Sequence, residues 1–242
     1  MDEYGEYRPL VRLAAALLIA VAASPAQAAC RLALVLALDV SSSVDDEEYA
    51  LQRVGLAAAL DAPEIRHAVL QGGQGDVALA VYEWSGRFQE KRHLDWSVLR
   101  SDGDIDRAVA VLAEMERSTS DYPTALGSAL GYGAQVLTQA PACDRRVIDV
   151  SGDGINNEGF APALAYRHFP FDGVTVNGLV ILGHDAEVVA HYRREVLRGP
   201  GAFLEVAQGF EDFQEAMARK LFREISDIQL GALAPSEAAP RQ

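Results

Sequence analysis

The chain is poor in the side chains that bind soft metals. It has two cysteines and five histidines in 242 residues, with no Cys-x-x-Cys pair and no His-Glu-x-x-His motif. Zinc sites of the usual ligand spacing are excluded. Positive charge is also scarce: 21 Lys and Arg stand against 35 Asp and Glu, for a formal net charge of −14. A chain so charged is repelled by phosphate backbones and anionic lipid surfaces, which argues against a nucleic-acid partner. The one glycine cluster, Gly72-Gly73-Gln74-Gly75, follows a helical stretch and precedes an extended one. That is the reverse of the order in which a phosphate-binding loop is built. No Gly-x-Ser-x-Gly nucleophile elbow occurs either.

Half of the residues are hydrophobic, enough for the core of one good-sized domain. One apolar stretch, Leu13 to Ala23, follows Arg8 and Arg12 and is broken by Ser24-Pro25. It is short for a membrane span and has the length of a signal-peptide core, and Ala26-Gln27-Ala28 has the small-x-small form of a cleavage site. Residues 1–28 therefore read as a signal peptide, and the protein as periplasmic or secreted. Residues 231–242, rich in Ala and Pro, read as a flexible tail. The domain is expected over 29–230.

The second apolar run, Leu32 to Leu38, is uncharged and ends in Asp39-Val40-Ser41-Ser42-Ser43. Such a run suits a strand buried on both faces of a parallel sheet. Helical stretches are expected at 44–60, from Pro63, and at 102–116, 125–139, 161–168, 186–197 and 210–228. Strands are expected at 76–85, 88–96, 145–151, 174–182 and 202–206. The alternation implies an α/β fold, a doubly wound, mostly parallel central sheet with helices on both faces. The polar segment 88–96 would be its one antiparallel edge strand. Ser43 with Asp46 resembles a capping box at the start of the first helix.

Asp39, Ser41 and Ser43 fall where a buried strand delivers its last residues to the sheet edge, the place of sites in open α/β folds. Thr124, after Pro123, falls at a helix start. Asp153, between Gly152 and Gly154, ends another strand, and the flanking glycines let the chain turn sharply there. Each side chain has an ordinary reading as a cap or turn residue. Together they form an all-oxygen set, the chemistry of a hard cation with some positions left to water.

The pattern Asp39-x-Ser41-x-Ser43, Thr124, Asp153-Gly154 resembles the metal-ion-dependent adhesion site of von Willebrand factor A domains. The phrase Asp149 to Asn157, with Cys30 before the first strand, is similar to an uncharacterised family of secreted bacterial proteins carrying that domain. The resemblance implies a Rossmann-type sheet with Mg2+, or Mn2+ or Ca2+ in its place, at the upper edge. Ser41 and Ser43 would ligate it directly, Thr124 directly or through water, and Asp39 and Asp153 largely through water. The open position would take an Asp or Glu carboxylate from a partner protein.

If Asp39 and Asp153 top adjacent strands, Cys30 and Cys143 lie near the bottom of the same strands, within disulfide reach. Asn156, Asn157, Glu158 and Tyr122 read equally well as rim or as loop supports. Two other functions are open. Gly152 to Asn157 has a superficial likeness to the last motif of haloacid-dehalogenase-type phosphatases. Such an enzyme would want an acid where Ser41 stands, an Asp where Asn157 stands, and a lysine for which only Lys91 offers. The other alternative is a structural envelope protein with a vestigial metal site. The expectation is a binding module and not an enzyme.

Overall fold

The computed structural model describes residues 30–183 and 185–226. The expected signal peptide, the expected tail and the outer ends of the 29–230 domain lie outside the described residues. The elements are β1 (Cys30–Asp39), α1 (Asp46–Asp61), α2 (Pro63–Gln71), β2 (Asp76–Trp84), β3 (Lys91–Leu99) and α3 (Asp102–Glu114). They continue with α4 (Leu126–Leu137), β4 (Cys143–Gly152), α5 (Pro162–His168), β5 (Val174–Ile181), α6 (Val188–His191), β6 (Leu204–Ala207) and α7 (Phe213–Ile225). The six strands form one sheet in the order β3-β2-β1-β4-β5-β6. All neighbours are parallel except β2 and β3, so the expected antiparallel edge strand is β3.

The alternation in β1 sorts side chains by size. Leu32, Leu34, Leu36 and Leu38 face one layer, with apolar residues of α1, α2, α3 and α7. Ala33, Val35 and Ala37 face the other, with α4, α5 and α6. Small residues on that second face let α4 come close. A Cβ on Gly133 would lie 2.8 Å from the Tyr82 hydroxyl, which donates to the Ala129 carbonyl at 2.7 Å.

β1 and β4 pair in register from Cys30 opposite Cys143 to Leu38 opposite Ser151. The cysteines form the expected disulfide, with Cα atoms 4.4 Å apart. Among the described residues no helix is long and apolar enough to cross a membrane.

Three local expectations are corrected. The box at the start of α1 is made by Asp45 and Glu48, not by Ser43 and Asp46: Asp45 accepts from the Glu48 N–H and Glu48 from the Asp45 N–H, each at 2.8 Å. Ser43 is engaged elsewhere, as shown below. The helix expected at 186–197 is the single turn α6 running into a π-helix, Tyr192–Val196. The edge strand sits about three residues later than its polar pattern implied, because the β2–β3 connection occupies positions 85–90.

One buried charge cluster went unread in the sequence. Lys220 of α7, fully buried, lies 3.0 Å from Asp149 and 2.9 Å from Glu224, and Glu224 also accepts from Asn177 at 2.8 Å. Burial and the neighbouring Glu224 push the Asp149 carboxyl up to about 7 in spite of Lys220. Burial alone would lower the Lys220 ammonium, but its two carboxylates outweigh that and hold it above its ordinary value.

Candidate metal centre

Backbone pairing carries β1 past its last strand residue: the Val40 N–H donates to the Trp84 carbonyl at 2.9 Å. Asp39 is consequently fully buried. Its Oδ1 accepts from the Ser41 N–H at 2.8 Å, which folds the chain over and turns Ser41 and Ser43 to the same side. Their hydroxyls lie 3.2 Å apart. Ser43 donates to Asp153 Oδ1 at 2.8 Å, which is why it does not cap α1. Thr124 donates to the Ser41 hydroxyl at 3.3 Å. All five residues expected at the site thus meet in one hydrogen-bonded group above β1 and β4.

The loops are tied to one another by backbone bonds. The Ser42 N–H reaches the Tyr122 carbonyl at 2.8 Å, and the Ala125 N–H reaches the Ser85 carbonyl at 2.8 Å. Asn157 clamps Thr124 on both sides, accepting from its N–H at 2.9 Å and donating its own N–H to its carbonyl at 3.0 Å. Asn156 accepts from the Gly127 N–H at 3.2 Å at the start of α4. The two asparagines of the Asp149 to Asn157 phrase are therefore loop supports.

Gly152 is needed for close approach and not for a left-handed turn, since neither it nor Gly154 has positive φ. A Cβ on Gly152 would stand 2.8 Å from Asp39 Oδ2 and 2.6 Å from the Tyr192 hydroxyl. At Gly154 the nearest atom to such a Cβ is the Thr124 hydroxyl at 3.4 Å, an ordinary contact.

The electrostatics fit a cation. Burial, and then the neighbouring Asp153, push the Asp39 carboxyl up to about 8, against the hydrogen bonds from Ser41 and the charge of Arg117. Asp39 Oδ2 is buried with no hydrogen-bond partner. Two carboxylates brought together out of water repel, and a positive ion between them removes the penalty. The donors are hydroxyl and carboxylate oxygens, suited to Mg2+, Mn2+ or Ca2+. Among the described residues no group of three or more His, Cys, Asp and Glu side chains could hold a metal. A cation bound here would rest mainly on hydroxyls and keep much of its charge for an incoming anion.

Three supporting residues were not foreseen. Arg117 holds the Val40 to Val44 loop through the carbonyls of Val40, Ser41 and Val44, the last at 2.6 Å. Gln52, fully buried on α1, donates to the Asp39 carbonyl at 3.0 Å. Tyr192, the first residue of the π-helix, brings a buried hydroxyl with no hydrogen-bond partner to the same point above Gly152 as Asp39 Oδ2. π-Helical turns are rare and concentrate at functional sites. Arg117 and Tyr192 reach the site from far along the chain, where spacing gives no signal.

A doubly wound sheet with a Ser-x-Ser loop at the end of its central strand, a Thr loop beside it and an Asp on the adjoining strand defines the von Willebrand factor A-like class. Within it, the chain belongs to the family described as "Protein of unknown function (DUF1194)", whose model matches residues 29–229. No curated protein sequence matches it. Solved structures agree on the fold. A von Willebrand factor type A protein from Catenulispora acidiphila superposes with a TM-score of 0.56 at 15% identity, over 81% of this chain and 42% of that one. Proximal thread matrix protein 1 from the mussel byssus, in a structure whose metal-ion-dependent adhesion motif is occupied by zinc, gives 0.57 at 14% identity, over 81% and 46%. The pilus adhesin SpaC from Lactobacillus rhamnosus GG gives 0.59 at 13% identity, over 82% and 30%. The chain spans less than half the length of each of these proteins.

Proposed function

We propose that this protein is an exported, metal-dependent protein-binding module of the adhesion type. Ser41, Ser43 and Thr124 would hold Mg2+, with Mn2+ or Ca2+ as substitutes, and Asp39 and Asp153 would supply the balancing charge. The bound ion would supply Lewis acidity toward one carboxylate, an Asp or Glu of a partner protein. The chain's residues prepare that contact. Asp39 locks the Ser41 backbone, Asp153 orients the Ser43 hydroxyl, and Asn157 fixes Thr124. Arg117 keeps the serine loop from opening.

The observation that carries the reading is the buried Asp39 Oδ2, without a hydrogen-bond partner, beside a second carboxylate and a group of hydroxyls at the edge of the sheet. A phosphatase reading has less behind it, since Ser41 occupies the place of a general acid and Lys91 is exposed at the start of β3. The Cys30–Cys143 disulfide supports an oxidising compartment, periplasmic or extracellular.

The test is a pull-down from envelope extract with Mg2+ or with EDTA, using wild type and Asp39→Ala. A partner retained only by wild type in Mg2+ supports the reading. A partner captured equally in EDTA and by Asp39→Ala refutes metal-bridged binding.

A further inference from the structure

A groove that the candidate metal site does not use lies between the first half of α1 and the β6–α7 connection. Asp45, Leu182 and Gly209 at its upper end follow β1, β5 and β6, so it opens at the sheet edge that carries the metal-site loops. Gly55 lets its two walls meet: a Cβ there would stand 3.1 Å from Phe213 Cδ1 of α7. The groove has two adjoining hollows. One, of about 330 Å³, is lined by the acids Asp45, Glu47, Glu48 and Glu211. The other, of about 270 Å³, has Leu51, Val54 and Phe210 as its large apolar side chains. Glu47, Leu51, Phe210 and Glu211 line both, so the hollows are continuous.

The fold does not need this apolar surface. Leu56 and Leu60 supply the core face of α1, whereas Leu51 and Val54 fall outside it, 37% and 52% exposed. Apolar surface rimmed by polar groups marks an interaction site. The rim has one sign of charge. Among the described residues no Lys, Arg or His lines either hollow. Asp45 and Glu48 accept from each other's backbone N–H, which brings no cation to them. Nor, among the described residues, are three acids gathered so as to hold a metal ion. Negative charge spread along a groove in this way suits a cationic segment.

We propose that the groove docks a segment of a partner protein in which a Lys or Arg stands next to a leucine-sized apolar side chain. The cation enters the acidic hollow, and the apolar group covers Leu51 and Val54. Other occupants fit the charge less well. A second copy carries the same −14 and is repelled, and residues 227–242 of this chain hold two acids and one base. The groove uses none of Asp39, Ser41, Ser43, Thr124 and Asp153, so it stands or falls apart from the metal-bridged reading.

The probe is a fluorescein-labelled peptide with repeated Lys-Leu steps and no acid, titrated by anisotropy against the full chain in EDTA and in Mg2+. Saturable binding is expected in both, weaker for peptides with Gly in place of Leu or Gln in place of Lys. Glu47→Gln/Glu211→Gln should weaken it about tenfold, and Val54→Ser about fivefold. Glu64→Gln/Glu114→Gln, which neutralises two exposed acids outside the groove, should change it less than about twofold. The replaced side chains are all exposed, so the melting temperature should stay near that of wild type. Absence of saturable binding, equal weakening by the two Glu→Gln pairs, or indifference to Val54→Ser would overturn the groove and leave the metal reading standing. Binding that appears only in Mg2+ would also overturn it, since the groove needs no metal.

Discussion

Removing the disulfide tests how the two central strands are held. Cys30 and Cys143 sit opposite one another in the β1–β4 register, with Cα atoms 4.4 Å apart. The strands pair along their whole length without the bond, so cutting it should leave the folded state nearly unchanged. The cost falls on the unfolded chain, which regains the freedom of a loop closed over 113 residues. In the chain-entropy picture a loop of about 100 residues corresponds to about 4.7 kcal/mol. Cys30→Ala/Cys143→Ala avoids burying a hydroxyl at Cys30. With a urea slope of about 2–3 kcal/mol/M for a domain this size, the midpoint should fall by about 1.5–2.5 M. The slope itself should rise, because the uncrosslinked denatured state exposes more surface. The assay is urea unfolding followed by circular dichroism, with wild type run with and without reductant. Reduced wild type should match the double variant. A midpoint change below about 0.5 M, or a double variant unlike reduced wild type, would refute the reasoning.

Other expectations follow from the buried groups. Lys220→Met leaves Asp149 and Glu224 without their cation and should cost about 3–5 kcal/mol in thermal unfolding at neutral pH. That loss should shrink as pH falls through the raised Asp149 value and that carboxyl takes up a proton. Glu83 is fully buried; burial works to raise its carboxyl, but His93, 3.0 Å away, and hydrogen bonds from the Ser118 N–H and the Tyr49 hydroxyl outweigh it and hold the carboxyl below its usual range. Its contribution is therefore present above the unfolded carboxyl pKa and lost as pH falls through the lower folded value. The stability gap between wild type and Glu83→Gln should narrow below about pH 4 in pH-resolved melting. Gly152→Ala pushes a methyl group against Asp39 Oδ2 and should weaken Mg2+ binding by about tenfold or more by calorimetry. Gly154→Ala meets only an ordinary contact and should have a much smaller effect.

The sequence carried the parts of the site that are local to strand ends. The uncharged run of β1, its Asp-x-Ser-x-Ser end, and Thr124 and Asp153 at the ends of their own segments could be read from residue type and spacing. The disulfide could be read once the two aspartates were placed on adjacent strands. Supports made across the fold could not. Arg117 meets the serine loop from more than 70 positions away. Lys220 and Glu224, four apart on an amphipathic helix, have the pattern of a surface ion pair, yet both are buried because α7 packs beside α1 and over β5 and β6. The capping box was misplaced for a related reason. Ser43 has the right side chain for a cap, but Asp153, supplied by a distant strand, takes its hydroxyl, and Asp45 caps the helix instead. Tyr192 lay in a segment with ordinary helical periodicity, and nothing in that pattern announced a π-turn.

The most direct test of the account is metal titration of the purified, EDTA-stripped chain. Isothermal calorimetry with Mg2+, and electron paramagnetic resonance with Mn2+, should each find one site per chain in wild type. Ser41→Ala and Asp39→Ala should abolish that binding while keeping the wild-type circular dichroism spectrum. A wild-type chain that binds neither ion, or variants that bind as wild type does, would contradict a metal centre built on Asp39, Ser41, Ser43, Thr124 and Asp153.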